Sequence, residues 1–243
     1  GRLRVKPVTP VILIVLAAAV SAAISSSLAL ASSSSSCSWS WSTGGFSTRR
    51  SIQRGKAIFH LSASFQVIER GPSHEAAMPA VPPPEECATW AESMMERQEP
   101  MAKEVREWFL RDRPIELRYV PPRAGEEAEP RQRIWIRANG SLPDAPLLHQ
   151  CIVAYASDMT LLDTATLPHG IYWNDPRYQM ASLDHAMWFH RPFRADHWLL
   201  YDQESPSASG ARGLCTGRLF TRNGTLAVSV VQEGLVRPIP PKA

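Results

Sequence analysis

Cysteine is scarce here and scattered: Cys37, Cys87, Cys151 and Cys215 stand far apart, with no CxxC pair. Zinc ribbons, redox dithiols and a disulfide framework are thereby disfavoured. Charge of one sign is equally lacking, because 26 Lys and Arg against 23 Asp and Glu leave a net +3 spread along the chain. Nucleic-acid binding gains no support from that balance. Gly-rich phosphate loops of the P-loop or dinucleotide type are missing too, which removes the common nucleotide signatures. What is there is apolar material: 44% of the 243 residues are hydrophobic and 20% are charged. That suffices for a real core, in one large domain or two ordinary ones.

The chain does not read uniformly. A basic start, "GRLRV", precedes the apolar run "VILIVLAAAVSAAI" (11–24) and then "SLALASSSSSCSWSWSTGG". With the small-residue pattern Ala29-Leu30-Ala31, this resembles a secretory signal peptide. Residues 8–31 could instead be a membrane anchor, although the strongly apolar part falls short of the ~18 residues of a span. The serine tract also has a blander reading, as low-complexity translated sequence foreign to the fold. Residues 1–44 are set apart on these grounds, with the last reading preferred.

From Phe46 the texture changes. "FSTRRSIQR" and "KAIFHLSASFQVI" alternate polar and apolar residues on either side of Gly55, the pattern of a β-hairpin. "GPSHEAAMPAVPPPEE" reads as a proline-rich linker. Trp90, Met94, Met101, Val105 and Trp108 then recur near helical spacing, with Pro100 as a break. "RPIELRYV" (113–120) and "RQRIWIRA" (131–138) are strands joined by an acidic loop. One strong helix follows. Asp144 is its expected N-cap, Pro146 lies in its first turn, and Leu148, Cys151, Ile152, Tyr155, Met159 and Leu162 form its apolar face. Beyond it come only strands: "ASLDHAMWFHRPF", "DHWLLYDQES", "ARGLCTGRLFT" and "LAVSVVQEGLV", the last two joined by Asn223-Gly224. Residues 113–238 thus spell β-β-α-β-β-β-β, a long helix against an antiparallel sheet, which is an α+β layer fold. The expected organisation is a remnant unit at 45–70, a linker with a helix at 71–112, the main domain at 113–238 and a tail at 239–243.

Two features invite a chemical reading. Asp158 lies on the helix's apolar stripe, where a carboxylate is costly unless paired, and such groups concentrate at functional sites. A capping or salt-bridging role near the helix end is the equal alternative. "SLDHAMWFHRPFRADHW" (182–198) gathers His185, His190 and His197. Their spacing matches no common zinc pattern, and 185 and 190 on one strand would face opposite ways. No metal is expected there. Asp184, His185, His190 and Arg191 read as hydrogen-bonding residues, and Trp188 and Phe189 as packing.

"WIRANGSLPD", "YASDMTLL", "PHGI", "SLDHAMWFHRPF", "WLLYDQESPSASGARG" and "VSVVQEG", in that order, resemble the C-terminal half of the acyl-CoA thioesterase II family. "STRRSIQRGKAIFHLSASFQ" and "MPAVPPPE" resemble the end of that family's first half. The resemblance implies a double hot dog: two tandem units, each a long helix wrapped by an antiparallel sheet. It also implies that the first unit is incomplete, because residues 1–44 stand where its first helix and leading strands belong.

The implied activity is hydrolysis of fatty acyl-CoA to fatty acid and CoA, with no cofactor. Matched residue by residue, the family's active-site Asp, Thr or Ser, and Gln fall on Asp158, Ser182 and Gln232. A thioester carbonyl is electrophilic, so a positioned water with a modest base suffices. Asp158 would take the proton while Ser182 and Gln232 hold the water. No GxSxG elbow surrounds Ser182, which weakens a covalent role for it. The expected partner is fatty acyl-CoA, with no nucleic acid, and with assembly into a homo-oligomer through hot-dog sheets. The expected compartment is the cytoplasm in a bacterium or the peroxisomal matrix in a eukaryote. The competing reading is an inactive truncated remnant that at most binds acyl-CoA or a partner.

Overall fold

The computed structural model describes residues 44–53, 56–66, 69–97, 107, 113–125, 129–172 and 175–240. The expectations for residues 1–43, the turn at Gly55, the break at Pro100 and the stripe Met101, Val105 and Trp108 lie outside the described residues. The chain forms two compact units, Gly1–His74 and Glu75–Ala243.

In the first unit β1 (Gly44–Gln53) pairs antiparallel with β2 (Lys56–Gln66), with a bulge at Ser51/Ile52. Leu61, Ala63 and Phe65 are half-buried while His60, Ser62, Ser64 and Gln66 are exposed. This is the two-residue alternation of a strand with one sheltered face.

The second unit is an antiparallel sheet with a helix. Its strands are β3 (Ala88–Thr89), β4 (Ile115–Tyr119), β5 (Arg131–Ala138), β6 (Tyr178–Ser182), β7 (Ala186–Phe189), β8 (Leu199–Ser209), β9 (Arg212–Thr221) and β10 (Leu226–Pro238). Their spatial order is β3-β4-β5-β8-β9-β10-β6, and β7 also pairs with β10. The helices are α1 (Trp90–Arg97) and α2 (Pro146–Ser157). Alternation gives the sheet two apolar faces. Ile134 and Ile136 of β5, Tyr201 of β8, Leu219 of β9, and Val228 and Val230 of β10 share a core with Val153 and Ala156 of α2.

The opposite face carries Trp135, Leu200, Phe220 and Leu226 with Trp198, and Ala76, Met78 and Val81 pack over it. The proline-rich stretch, read from sequence as a linker, is therefore from Glu75 onward a strap on the back of the sheet. It is pinned by Trp135 Nε1 donating to Pro82 O (2.9 Å) and by Leu226 N donating to Glu75 Oε2 (2.7 Å). No described helix is long and apolar enough to cross a membrane.

Four local expectations are corrected. The N-cap of α2 is Ala145, with no side-chain cap bond. Asp144 is drawn instead to Arg194, at 3.2 Å. The helix also stops at Ser157, so Leu162 belongs to a following 3-10 turn, Leu162–Ala165. The stop has a tertiary cause: Tyr201 OH donates to the Ser157 carbonyl at 3.1 Å, satisfying a group the helix end leaves open. The deepest helical positions include His149, Val153 and Ala156, while Leu148, Ile152, Tyr155 and Met159 are half-buried. The small alanines let the sheet approach, and the long side chains lie at its flanks.

"ASLDHAMWF" is not one strand. β10 uses Glu233 to break it, because Leu183 N and Asp184 N both donate to Glu233 O (2.9 and 3.3 Å) and Glu233 N donates to Asp184 Oδ1 (2.7 Å). Finally, Trp188 is 52% exposed and does not pack in the core. Its strand neighbour Phe189 does, stacking on Phe193 with ring centroids 6.3 Å apart.

Candidate active site

Asp158, Ser182 and Gln232 come from three elements and meet. Asp158 is the residue that closes α2. Ser182 ends β6 and stands opposite Gly234 of β10. Gln232 lies on the helix-facing side of β10, where Val228, Val230, Gln232 and Gly234 are all buried. Ser182 Oγ donates to Asp158 Oδ1 at 3.0 Å. Gln232 Nε2 donates to Ser182 Oγ at 2.8 Å and also to Asp158 Oδ1. The three side chains form a closed triangle.

Burial within it is graded. Gln232 is fully buried, the Asp158 side chain is 11% exposed, and Ser182 lies at the surface. The triangle therefore runs from an amide anchored in the core to a serine at the surface. Both bonds to Asp158 fall on Oδ1, so Oδ2 is left to accept a proton. Gln232 Oε1 is buried and has no hydrogen-bond partner among the described residues.

Asp158 occupies the C-cap of α2 without the cationic support that favours that position. A carboxylate at a helix C-terminus faces the negative end of the macrodipole, so the position is unfavourable for stability. No Lys or Arg pairs with it among the described residues. Its nearest ionisable neighbour is His185, with Nδ1 at 3.8 Å from Oδ1. Burial pushes the His185 pKa down, against the upward pull of Asp158 and Asp184, so the ring is neutral at pH 7.

The segment after Asp158 is held by a buried polar network that sequence reading missed. Gln203 Nε2 donates to Thr160 Oγ1 (3.0 Å), and Gln132 Nε2 donates to Thr160 O (2.8 Å) and Thr164 Oγ1 (3.0 Å). Gly213 and Gly234, paired across β9 and β10, make room above it: a Cβ on Gly213 would sit 2.5 Å from Ala165 Cβ, and one on Gly234 2.3 Å from Leu162 Cδ1. The available signal was a glutamine within each of two strands, in "RQRIWIRA" and "LLYDQES".

The three histidines of 182–198 do not converge. His185 Nε2 meets Ser157 Oγ at 2.8 Å, His190 Nε2 meets Ser229 Oγ at 2.8 Å, and His197 is tied through its backbone to Arg194. Ser182 has no imidazole partner among the described residues, and its hydroxyl engages only Asp158 and Gln232.

Comparison with known proteins gives the family. The family model described as acyl-CoA thioesterase matches residues 101–235. The chain is 42% identical to human acyl-coenzyme A thioesterase 8 over 210 residues, covering 80% of this chain and 65% of that protein. It is 36% identical to acyl-CoA thioesterase 2 of Haemophilus influenzae, covering 77% of this chain and 67% of that one. It therefore spans about 65% of the length of the human relative. Among solved structures, an acyl-CoA thioesterase II from Mycobacterium marinum is 40% identical with a TM-score of 0.67, covering 84% of this chain and 72% of that one. A hot-dog protein of Alicyclobacillus acidocaldarius, at 15% identity and TM-score 0.61 over 83% of this chain and 70% of its own, shares the fold.

Proposed function

This chain belongs to the acyl-CoA thioesterase family and has its hot-dog fold, and from that premise we propose that it hydrolyses fatty acyl-CoA to fatty acid and CoA. The observation that carries the proposal is the closed triangle of Asp158, Ser182 and Gln232 with Oδ2 left open. In this reading a water lies against Oδ2, oriented by the side chains of Ser182 and Gln232, and attacks the thioester carbonyl as Asp158 takes its proton. The tetrahedral intermediate then expels CoA thiolate, and the acid departs. No cofactor enters the scheme. Ser182 donates its own proton to Asp158 Oδ1, so it orients the base and offers only an acceptor to the water.

The same 3.0 Å bond favours a second reading, with Ser182 as nucleophile and Asp158 as its base. The two readings part on intermediates. The test is CoA release from a fatty acyl-CoA by the purified chain, with Asp158→Asn as control and mass spectrometry during turnover. Direct hydrolysis predicts a fall of roughly two to four orders of magnitude in Asp158→Asn and no adduct. An acyl group on Ser182 would move the mechanism to the covalent form. An equal rate in Asp158→Asn would remove Asp158 from it.

The hairpin β1–β2 belongs to the same proposal as the end of the family's first hot dog. So do assembly of copies through their sheets and a cytoplasmic or peroxisomal setting.

A further inference from the structure

Beside the triangle lies a group that the scheme does not use. His185 sits in the break between β6 and β7, with Nε2 at 2.8 Å from Ser157 Oγ and Nδ1 at 3.8 Å from Asp158 Oδ1. Nδ1 is buried and has no hydrogen-bond partner among the described residues. The imidazole makes no hydrogen bond to Ser182 among the described residues, so it is no base for that serine. What it does depends on where its single proton resides.

Ser157 Oγ decides. It carries one proton and has two strong acceptors in reach, Ala154 O at 3.0 Å and His185 Nε2 at 2.8 Å, besides the weak thioether acceptor Met187 Sδ at 3.6 Å. If the proton goes to Ala154 O, His185 must donate from Nε2, and a bare Nδ1 lone pair then faces the carboxylate in a buried space. That arrangement sets two acceptors against each other across 3.8 Å. If the proton goes to Nε2, the ring carries its hydrogen on Nδ1, and an N–H dipole faces the anion. The second arrangement is the attractive one.

We propose that His185 is a positioning residue for Asp158: Ser157 holds the imidazole as the Nδ1–H tautomer, and that N–H dipole steadies the carboxylate at Oδ1. The ionisable groups around the pair are few. Asp184 adjoins His185 and is engaged by Glu233 N. Tyr201, whose hydroxyl binds the Ser157 carbonyl, is held protonated by burial and by the nearby Asp158. Neither supplies a cation, so the imidazole N–H is the donor available there. The role deepens the reading of Asp158 as base and rests on it.

The test uses two amides that imitate the ring's two nitrogens. Asn at 185 places its NH₂ near the Nδ1 position, and Gln places it near Nε2. In CoA-release assays His185→Gln should lose on the order of tenfold in kcat with KM changed by less than about twofold, and His185→Asn should recover most of the rate. Equal rates in the two variants, or a wild-type rate in His185→Gln, would overturn the proposal.

A second measurement needs no turnover and keeps the idea exposed if a variant fails to fold. Long-range ¹H–¹⁵N correlation spectra of the whole chain at pH 7, with His185 assigned by its loss in either variant, should show the proton on Nδ1. In Asp158→Asn, where the anion is gone, the proton should shift toward Nε2. An Nε2–H tautomer in the wild type refutes the positioning role. An Nδ1–H tautomer in a chain that releases no CoA would instead count against the hydrolase reading alone.

Discussion

Two buried aspartates sit on opposite sides of one sheet, and their surroundings differ in kind. Asp202 on β8 faces the side away from α2 and is met by two guanidinium groups, Arg133 at 3.2 Å and Arg218 at 2.8 Å. Asp158 on the helix side is met by a hydroxyl, an amide and a neutral imidazole. Both carboxylates are about nine-tenths buried. The first is neutralised in place, with its charge spent on cross-strand pairing. The second is hydrogen-bonded on one oxygen while its charge is left uncancelled. Pairing with cations reads as architecture. An anion fixed by neutral donors is available to accept a proton.

The sharpest way to break this contrast is to make the same change at both places. Asp158→Asn should abolish most CoA release, by the two to four orders given above, and leave thermal stability near the parent value. Asp202→Asn should do the reverse. It takes the anion from two guanidinium groups, and removing one member of a buried pair costs about 3 kcal/mol or somewhat less where water can reach. Melting curves and initial rates on the two variants decide it. If Asp202→Asn silenced turnover without lowering the melting point, the two aspartates would not be separable into charge for the fold and charge for the reaction.

The sequence disclosed these sites unevenly. The α+β architecture was legible because each strand of 113–238 alternates or runs apolar and one helix interrupts them. Asp158 was legible as an anomaly, a carboxylate on an apolar stripe. Ser182 and Gln232 came only through the family resemblance, although a glutamine among the inward valines of β10 was there to be noticed. The end of α2 was not legible, since it depends on Tyr201, 44 residues later. The break at Leu183–His185 depends likewise on the backbone of Glu233. Both are long-range hydrogen bonds, and periodicity carries no record of them. His185 could be recognised as a hydrogen-bonding residue, but its nearness to Asp158 follows from that unforeseen break.

A smaller perturbation tests how tightly the helix side is built. Gly213→Ala would place a methyl group 2.5 Å from Ala165 Cβ, and Ala165 has no rotamer by which to yield. The 3-10 turn that follows Asp158 must move, so the expected cost is about 1–3 kcal/mol of stability. Turnover should fall with it, because that turn and Asp158 are one continuous segment. A denaturant midpoint that drops with an unaltered rate would show that the turn supports the fold without positioning the base.

The smallest effect belongs to the strap side. Trp135 packs in the cluster with Trp198, Leu200 and Phe220, and its indole N–H donates to Pro82 O at 2.9 Å. Trp135→Phe keeps most of the apolar packing and removes that one bond. Pro82 is half-buried, so its carbonyl can turn to water, and the net loss should be about 1 kcal/mol, visible as a small shift in the urea midpoint. The rate of CoA release should hold, since no atom of the Asp158 triangle lies on this face. Adjacent residues of β5 point to opposite sides, and Ile134 and Ile136 carry the helix-side core while Trp135 carries the strap. A rate that fell in step with the midpoint would mean that loosening the strap is transmitted through β5 to the helix side, and the two faces would then have to be treated as one mechanical unit.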